Sequence, residues 1–582
     1  MSKNEALIIA AIDTAEEIYE PQSLAQGCKP RLLVDKANPD ITVAEVRDIL
    51  SKSPGLYDRG VPVRLAYDLT QKGHVAQVMT PDGLVRYIHN FSRPYQIKTC
   101  TDGSTKMVDC GFPRNLAVMY LDWRGEWQLP AFNGIAAAPI LASDGTIASK
   151  EGYDPASGMW CENMPDVSGF VPEQPSIEDA RQALFVVRET FKTFCFADAE
   201  TIPDPSYSLP VIDTAKPPGK DESAFLIALL TAVCRPSLHL APGILLRAAA
   251  MSGAGAGKGL LARCTCLIAF GREPHAVTSG AKPEELEKRI AAELMEGSPA
   301  LFLDNLNNTA FRSDLLASAI TERPAKVRVL GKSLMVLLNP SALIILTGNG
   351  LTISEDLARR FIAIDLDPRT EDPEARAFPN DIKADVKNRR LELLAALLTI
   401  WRWGRQSSDL TPGKPLGSFE QWGSWVRDPL LALGCQDPAE RISEAKERDG
   451  RRELIAELFA AWWAHHGDHP TPISKLHDDV KAIADPQGRG RQYLSTYFGR
   501  LAGTRVAGFV LTRQASGGKW GAATYTLIPT DDGHRTHRGH RDGPRNLNEE
   551  TVQGDPMPPM HPMPRGDAED WARDDDGWSA EL

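Results

Sequence analysis

The chain has 582 residues and a formal net charge of −12 at neutral pH, a length that accommodates several domains with separate cores. The negative balance argues against a uniformly basic coat for nucleic acid, and nine cysteines without a Cys-x-x-Cys pair argue against a zinc ribbon and fit a reducing compartment. The longest apolar run, 224–234, is too short to cross a bilayer, and the first residues lack a secretion signal. We therefore expect a cytoplasmic protein without a membrane segment.

The first 175 residues predict a mixed α+β domain of short strands and turns. Segments 63–67, 74–79 and 84–88 alternate polar and apolar side chains, which is typical of half-buried strands. A helix over 176–197 and a proline-rich connector over 202–210 follow, so 176–220 is taken as a helix and linker.

Residues 221–370 alternate between helix-like and strand-like patterns. Such alternation predicts a parallel sheet with helices on both faces. The predicted helices cover 221–234, 258–270, 283–297 and 313–321, and the predicted strands cover 243–250, 275–279, 299–304, 342–349 and 361–366.

A glycine-rich segment, Ser252-Gly-Ala-Gly-Ala-Gly-Lys258, joins the first of these strands to a helix. Strand, loop and helix in this order are typical of a phosphate-binding P-loop, in which Lys258 reaches the β- and γ-phosphates. Ser252 replaces the usual first glycine, and Gly259 stands where a serine or threonine usually binds Mg²⁺. The residues predicted to surround the phosphates of ATP are Gly253, Gly255, Ala256, Gly257, Lys258 and Gly259.

Two later strands end in polar side chains. Asp304 follows Lys258 by 46 residues, and Asn349 follows Asp304 by 45. A carboxylate at such a strand end holds Mg²⁺ in P-loop ATPases, and a polar side chain on the next strand can contact the γ-phosphate or orient water. The alternative is three ordinary core strands with polar ends.

The segment 326–338 predicts two short strands around a tip at Gly331-Lys332-Ser333. A surface hairpin with an incidental lysine is the alternative. Residues 371–448 predict a helical lid, whose tryptophans are interpreted as core packing rather than as a platform for stacking bases.

Residues 449–529 predict a winged helix, with helices over 451–465, 473–484 and 491–501 and strands over 505–513 and 520–527. Its third helix and wing would carry a basic face suited to DNA phosphates, although winged helices also dock proteins. The basic residues are Arg489, Arg491, Arg500, Arg505, Arg513 and Lys519. Residues 530–582 predict a disordered acidic tail, either simply solvated or docking on a partner such as a replication protein.

Five segments resemble a known family. Residues 284–289, 303–305, 317–323, 328–332 and 347–360 look like the helicase portion of primase-helicases encoded by phages, plasmids and other mobile elements. Those proteins are similar to the AAA+ and superfamily 3 ring ATPases. The predicted fold is therefore multidomain α/β, with an AAA+-like P-loop core, a helical lid, a mixed N-terminal domain and a C-terminal winged helix.

The resemblance implies roles for individual residues. Lys258 binds phosphate, Asp304 holds Mg²⁺ and Asn349 senses the γ-phosphate. Arg359 and Arg360 match the arginine finger that a ring subunit presents to its neighbour's ATP; a capping or ion-paired role is the alternative. Lys332, with Arg328 beside it, matches the pore hairpin that contacts single-stranded DNA. The resemblance also implies a homo-oligomer, expected to be a hexamer.

This chain departs from the family at two positions. Asn305 cannot accept a proton where many AAA+ enzymes carry glutamate, so Glu284, Glu285 or Glu296 is the candidate base, with Glu285 preferred. Gly259 cannot ligate Mg²⁺. Without a zinc ribbon or an acid cluster for priming, the sequence does not support primase activity.

We therefore expect an ATP-dependent DNA helicase for replication of a phage, plasmid or integrated element, which translocates on single-stranded DNA and contacts duplex through the winged helix. One alternative is an ATP-switched DNA-binding scaffold, such as a loader, initiator or regulator, with weak hydrolysis. Another is an ATPase that acts on protein.

Overall fold

The computed structural model describes residues 29–530 except 71, 208, 251–253, 279–282, 308–309, 330–333, 371, 377, 440–449 and 515–522. The chain forms two compact units, one up to Glu457 and one from Leu458 onward. The finer predicted boundaries, at 175, 220, 370 and 448, stay predictions. The acidic tail, Gly253, Lys332 and Lys519 lie outside the described residues.

The first unit begins with two small sheets and three helices. The strands Arg31–Leu33, Arg93–Thr99 and Thr105–Asp109 form one sheet, and Leu56–Asp58, Pro62–Asp68 and Gly73–Val78 form an antiparallel meander. The helices are Pro39–Leu50, Pro81–Phe91 and Arg114–Asp122.

The predicted strand over 84–88 is wrong, because these residues lie inside the helix Pro81–Phe91. The Thr80 side chain caps that helix by accepting from the Gly83 amide, and Pro81 fits its first turn. Leu84 and Ile88 are both buried and lie one helical turn apart on the same face. In so short a segment a spacing of four residues also fits the alternation of buried and exposed side chains in a strand.

Five short strands and a longer helix lead to the central sheet. The helix, Ile177–Phe191, begins at a capping box in which Ser176 and Asp179 each bond the other's backbone. The short strands are Gly134–Ala136, Ile140–Leu141, Ile147–Ala148, Gly152–Asp154 and Met159–Cys161, and the pair Thr201–Ile202 and Val211–Ile212 follows the helix.

The centre of the first unit is a five-stranded parallel sheet. In space the strands lie in the order Ala276–Thr278, Ala300–Asp304, Leu343–Asn349, Gly243–Ala248 and Phe361–Leu366. Most of their residues are buried, as expected for apolar strands covered on both faces. The predicted multidomain α/β architecture with a parallel sheet is thus confirmed.

Helices cover both faces of this sheet. From the Gly243 strand the chain crosses to the edge strand Ala276–Thr278. It then returns through Ala300–Asp304 and Leu343–Asn349 and ends on the other side of the Gly243 strand, at Phe361–Leu366. Right-handed crossovers therefore place the helix Lys258–Phe270 opposite Pro283–Glu296 and Asp314–Thr321. Lys258–Phe270 packs against Lys220–Cys234, Ile382–Asn388 and Arg390–Gln406.

Arg390 connects three parts of the first unit. Its guanidinium donates to the carbonyls of Ile268 at 3.1 Å, Asn163 at 3.1 Å and Ala137 at 2.6 Å. Residues before and after position 175 also contribute to one hydrophobic core.

The region after 380 is helical, as predicted. It contains Ile382–Asn388, Arg390–Gln406, Glu420–Trp422 and Asp428–Ala432, with a π-helical turn at Gly423–Arg427. Trp401, Trp403, Trp422 and Trp425 are all buried, and the Trp422 indole donates to the Thr231 hydroxyl at 2.9 Å. The interpretation of these tryptophans as core packing is confirmed.

The second unit contains the three predicted helices in order, and strands follow them, but one further strand, Thr471–Pro472, lies between the first two helices. Its helices are Gly450–His466, which begins just before the unit boundary, Asp478–Ala484 and Arg491–Leu501. The second helix is shorter than predicted, because residues Ile473–Lys475 form a separate 3-10 turn. The strands Thr471–Pro472, Thr524–Pro529, Phe509–Gln514 and Arg505–Val506 form one antiparallel sheet. The winged-helix assignment itself stays a prediction.

Candidate functional site

The candidate site lies at the carboxyl edge of the parallel sheet. The Gly243, Asp304 and Asn349 strands are neighbours there, with Ala248 paired to Asn349. The strand order reverses at this point, where α/β sheets bind ligands in a crevice. The glycine-rich loop leaves the Gly243 strand at the same edge.

Lys258 is the first residue of the helix Lys258–Phe270 and is buried, with 8% of its surface exposed. Its Nζ donates to Asn349 Oδ1 at 2.5 Å. Burial lowers the pKa of Lys258, and the negative charge of Asp304 acts in the opposite direction. A buried ammonium thus stands at a helix N-terminus beside the two predicted strand-end residues, an arrangement suited to a bound anion.

Asp304 and Asn305 are held by a residue that the sequence interpretation gave no role. The buried Thr347 hydroxyl donates to Asp304 Oδ1 and accepts from the Asn305 amide at 3.3 Å. A single hydroxyl in the apolar strand Leu343–Asn349 was the signal that could have identified it.

Asn305 itself is exposed and has a φ of 61°, an uncommon conformation for a residue other than glycine. Next along the chain, Asn307 Oδ1 accepts from the Asn349 amide at 2.7 Å. The strand ends are therefore fixed to each other by side chains, which gives the edge a defined shape.

Arg263 is a second side chain that sequence reasoning missed. Its Nη1 donates to the Gly259 carbonyl at 3.0 Å, and its Nη2 lies 3.8 Å from Asp304 Oδ2. Residues four apart share a helix face. The sequence signal for this contact was therefore the glycine at position 259 followed one turn later by the arginine at position 263. Arg263 occupies the space that a side chain at Gly259 would take, since a β-carbon there would lie 2.8 Å from Nη1.

The chemistry of Asp304 fits a magnesium ion. Thr347 engages Oδ1, and Arg263 Nη2 lies 3.8 Å from Oδ2. Both oxygens face Gly259, because a β-carbon there would lie 3.8 Å from Oδ2 and 3.9 Å from Oδ1. Mg²⁺ commonly binds through one or two carboxylates, with phosphate oxygens and waters completing its shell. Asp304 can supply that carboxylate without a ligand from position 259.

The described part of the glycine-rich loop needs its glycines. Gly255 and Gly257 have φ values of 70° and 94°, which side chains rarely adopt. A β-carbon on Gly255 would also lie 2.7 Å from Glu374 Cγ. Arg376 donates to the Gly255 carbonyl at 2.8 Å, so the segment around 374–376 covers this side of the loop.

A cavity of about 540 Å³ opens beside the loop. It lies between the end of the helix Ile177–Phe191, the loop itself and the segment that begins the helical region. One part of its wall is apolar and aromatic, and another is charged. The lining includes Phe194, Tyr207, Leu260, Phe378, Ile382, Lys192, Arg376, Asp381 and Arg389.

Arg359 and Arg360 differ in their surroundings. Arg360 is mostly buried, with 14% of its side chain exposed, and bonds the Thr321 hydroxyl at 3.3 Å and the Asp356 carbonyl and carboxylate. Arg359 is 56% exposed and pairs with Asp356 at 2.7 Å. The geometry leaves Arg359 the more accessible of the two to a neighbouring subunit.

Glu285 lies at the exposed start of the helix Pro283–Glu296 and pairs with Lys288 at 2.7 Å. That hydrogen bond lowers the pKa of Glu285. Glu285 therefore behaves as one member of a surface ion pair. Its pKa is not raised, as the pKa of a carboxyl that accepts protons in catalysis often is. Its assignment as the base stays a prediction.

The predicted hairpin is present as Ala325–Val329 paired with Leu334–Leu338. Its tip, with Lys332, is outside the described residues. Arg328 is exposed on the outer face, whereas Val336 packs against Gly60 of the N-terminal region. In the second unit, all of the described basic residues of the predicted DNA face are exposed, namely Arg489, Arg491, Arg500, Arg505 and Arg513.

No protein-family model and no curated protein matches the chain. Among solved structures, the apo A form of the NrS-1 C-terminal region is a distant neighbour, with 12% sequence identity and a TM-score of 0.30. The alignment covers 80% of this chain and 96% of that chain. Likeness at this level does not assign a function, so the site is interpreted from its own residues.

Among the described helices, none combines the length and the apolar character required to cross a membrane.

Proposed function

We propose that this chain is an ATP-dependent DNA helicase that assembles as a ring, expected to be a hexamer. The proposal that the chain binds ATP rests on the position of Lys258. This lysine is buried at a helix N-terminus after the glycine-rich loop and bonds Asn349 beside Asp304. A phosphate chain at this edge would meet backbone amides, a helix dipole and an ammonium group together.

ATP is proposed to lie with its phosphates on residues 255–258 and its base in the adjoining cavity. Phe194, Tyr207 and Phe378 offer aromatic surfaces there. Asn349 and Thr347 then orient Lys258 and Asp304 toward the terminal phosphate. Magnesium, held by Asp304 and phosphate oxygens, would neutralise charge that develops on the transferred phosphoryl group.

The DNA part of the proposal rests on the family resemblance and on exposed basic residues. Arg328 and Lys326 lie on the outer face of the hairpin, where they suit the backbone of single-stranded DNA. The arginines of the second unit suit duplex phosphates. Arg359 is proposed as the finger that acts on the neighbour's ATP.

The test is ATP hydrolysis with and without single-stranded DNA, together with unwinding of a forked duplex. We expect hydrolysis that DNA stimulates, and unwinding that requires ATP. The variant Thr347→Val, which keeps the shape of the side chain, should weaken hydrolysis because Asp304 loses the hydroxyl that bonds it. Wild-type protein that binds ATP but shows neither DNA stimulation nor unwinding would refute the helicase proposal.

A second candidate function is an ATP-switched DNA-binding scaffold with weak hydrolysis. Asn305 favours it, because this exposed residue offers an amide at the position where a proton acceptor would stand. The scaffold predicts ATP-dependent assembly on DNA without unwinding. Turnover in the range of about 1–100 per second, typical of phosphoryl-transfer enzymes, would exclude it.

A further inference from the structure

A second cleft, the N-terminal cleft, lies in the first unit and has a volume of about 490 Å³. It is bounded by the strands Pro62–Asp68 and Gly73–Val78 and by the helix Pro81–Phe91. Among the described residues, none lines both this cleft and the cavity beside the glycine-rich loop. The proposed function gives the N-terminal cleft no role, so its own residues must indicate what it binds.

Two arginines give the N-terminal cleft a positive charge. Arg64 and Gln77 are cross-strand partners, and Arg64 Nη2 donates to Gln77 Oε1 at 2.8 Å, which holds the guanidinium at the cleft. Arg86 is exposed on the helix, and in the described part of the chain it forms no ion pair. None of the described residues that line the cleft is acidic. No lining carboxylate therefore offsets the two charges, and the cleft favours an anion.

The helix Pro81–Phe91 presents one continuous face to the N-terminal cleft. Gly83, Arg86, Tyr87 and Asn90 all line it, and residues that are three, four and seven positions apart share a helix face. In a helix that only packs on a core, such a face is apolar. Here the face carries a cation, an amide and a phenol ring, and Gly83 has no side chain to fill the space between the helix and the strands.

Tyr87 adds an aromatic wall to the N-terminal cleft. Its hydroxyl donates to the Pro54 carbonyl, and its ring packs against Phe91 with the two centroids 4.8 Å apart. These contacts fix the half-buried ring in the wall. The buried side chain of Met79 also lines the cleft. The cleft therefore combines an apolar surface with two guanidinium groups.

We infer that the N-terminal cleft binds a nucleoside phosphate, either a free nucleotide or one unit of a single strand. Guanidinium groups bind phosphate oxygens through paired N–H donors, and aromatic side chains stack on bases of any kind. Pockets for small ligands measure about 300–1,000 Å³, so the cleft has room for a base and a sugar as well as the phosphate. This site does not use Lys258, and it does not depend on ATP hydrolysis.

The test is a calorimetric titration of the full chain with thymidine monophosphate. The chain carries Lys258→Met, so that the glycine-rich loop does not contribute to the binding. Arg64→Gln and Arg86→Gln should each weaken this binding by at least about tenfold, because each removes a hydrogen bond between charged groups. Arg114→Gln is the matched control, because this arginine is 63% exposed, pairs with Asp82 at 2.9 Å and does not line the cleft. It should leave the binding unchanged.

A single strand that carries one 5-iodouracil distinguishes the two sources of the ligand. Irradiation should crosslink this base to Tyr87 if the cleft holds one unit of a strand, whereas binding of thymidine monophosphate without the crosslink assigns the cleft to a free nucleotide. Either result supports the inference. Three results would overturn it: neither binding nor a crosslink, binding that survives both Arg64→Gln and Arg86→Gln in folded protein, or inorganic phosphate that binds as tightly as the nucleotide.

Discussion

Replacing Lys258 by methionine tests the nucleotide site most directly. Methionine keeps an unbranched side chain of similar length in the buried position and removes only the ammonium group. The group bonds Asn349 Oδ1 at 2.5 Å and lies near the Asp304 charge. The variant should therefore fold, while the phosphates of ATP lose their buried cation.

The expected loss follows from the strength of such contacts. A hydrogen bond that involves a charged group contributes about 1.5–3 kcal/mol. At about 1.4 kcal/mol per tenfold change, Lys258→Met should weaken ATP binding by roughly 10- to 150-fold. Hydrolysis should fall further, because the ammonium also acts on the phosphate being transferred.

The assay is titration with a fluorescent ATP analogue, with the unfolding temperature measured alongside. Lys481→Met is the matched control, because this lysine is 39% exposed and pairs with Asp478 at 2.8 Å in the second unit. It should bind the analogue like wild type. If Lys258→Met keeps its fold and binds within about threefold of wild type, the glycine-rich loop is not the phosphate site.

Two further predictions concern arginines and a buried acid. Arg360→Ala should lower the unfolding temperature, because Thr321 and Asp356 each lose one bond to this mostly buried guanidinium, whereas Arg359→Ala should keep stability and ATP binding but lose hydrolysis. If Arg359 acts on the ATP of the neighbouring subunit, mixing Arg359→Ala with Lys258→Met should restore part of the ATP hydrolysis. No recovery at any mixing ratio of the two variants would contradict a site shared between subunits. Burial, reinforced by Glu296, raises the pKa of Glu293 to about 7, above its ordinary value. The folded protein therefore holds a proton that the unfolded chain releases, and stability falls as pH rises between about 4.5 and 7. Glu293→Gln should remove this loss and gain about 1–3 kcal/mol relative to wild type between about pH 5 and pH 8, whereas Glu285→Gln, at an exposed paired carboxylate, should show no such gain.

The sheet could be predicted because its strands carry strong local signals. Four of the five are almost continuous apolar runs, and parallel strands share one carboxyl edge; the edge strand Ala276–Thr278 is shorter and mostly exposed. The meeting of Lys258 with Asn349 follows from that topology. The helix Pro81–Phe91 was mistaken for a strand because two buried residues four apart satisfy either periodicity.

The finer contacts of the site depend on register and on side-chain reach. Thr347 meets Asp304 only because two strands align at one register, and no local pattern encodes that alignment. Arg263 reaches Asp304 through a long side chain whose path was open because Gly259 has none. The cavity combines residues from three distant segments, so its shape follows from packing alone.

The hydrogen bonds from Arg390 to three carbonyls connect the motion of two parts of the first unit. Ile268 belongs to the helix that begins at Lys258, whereas Ala137 and Asn163 belong to the region before the linker. A tilt of that helix on nucleotide exchange would be transmitted to the early region through one rigid guanidinium plane. Residues 29–175 that contact Arg390 would then move together with the helix that follows the glycine-rich loop.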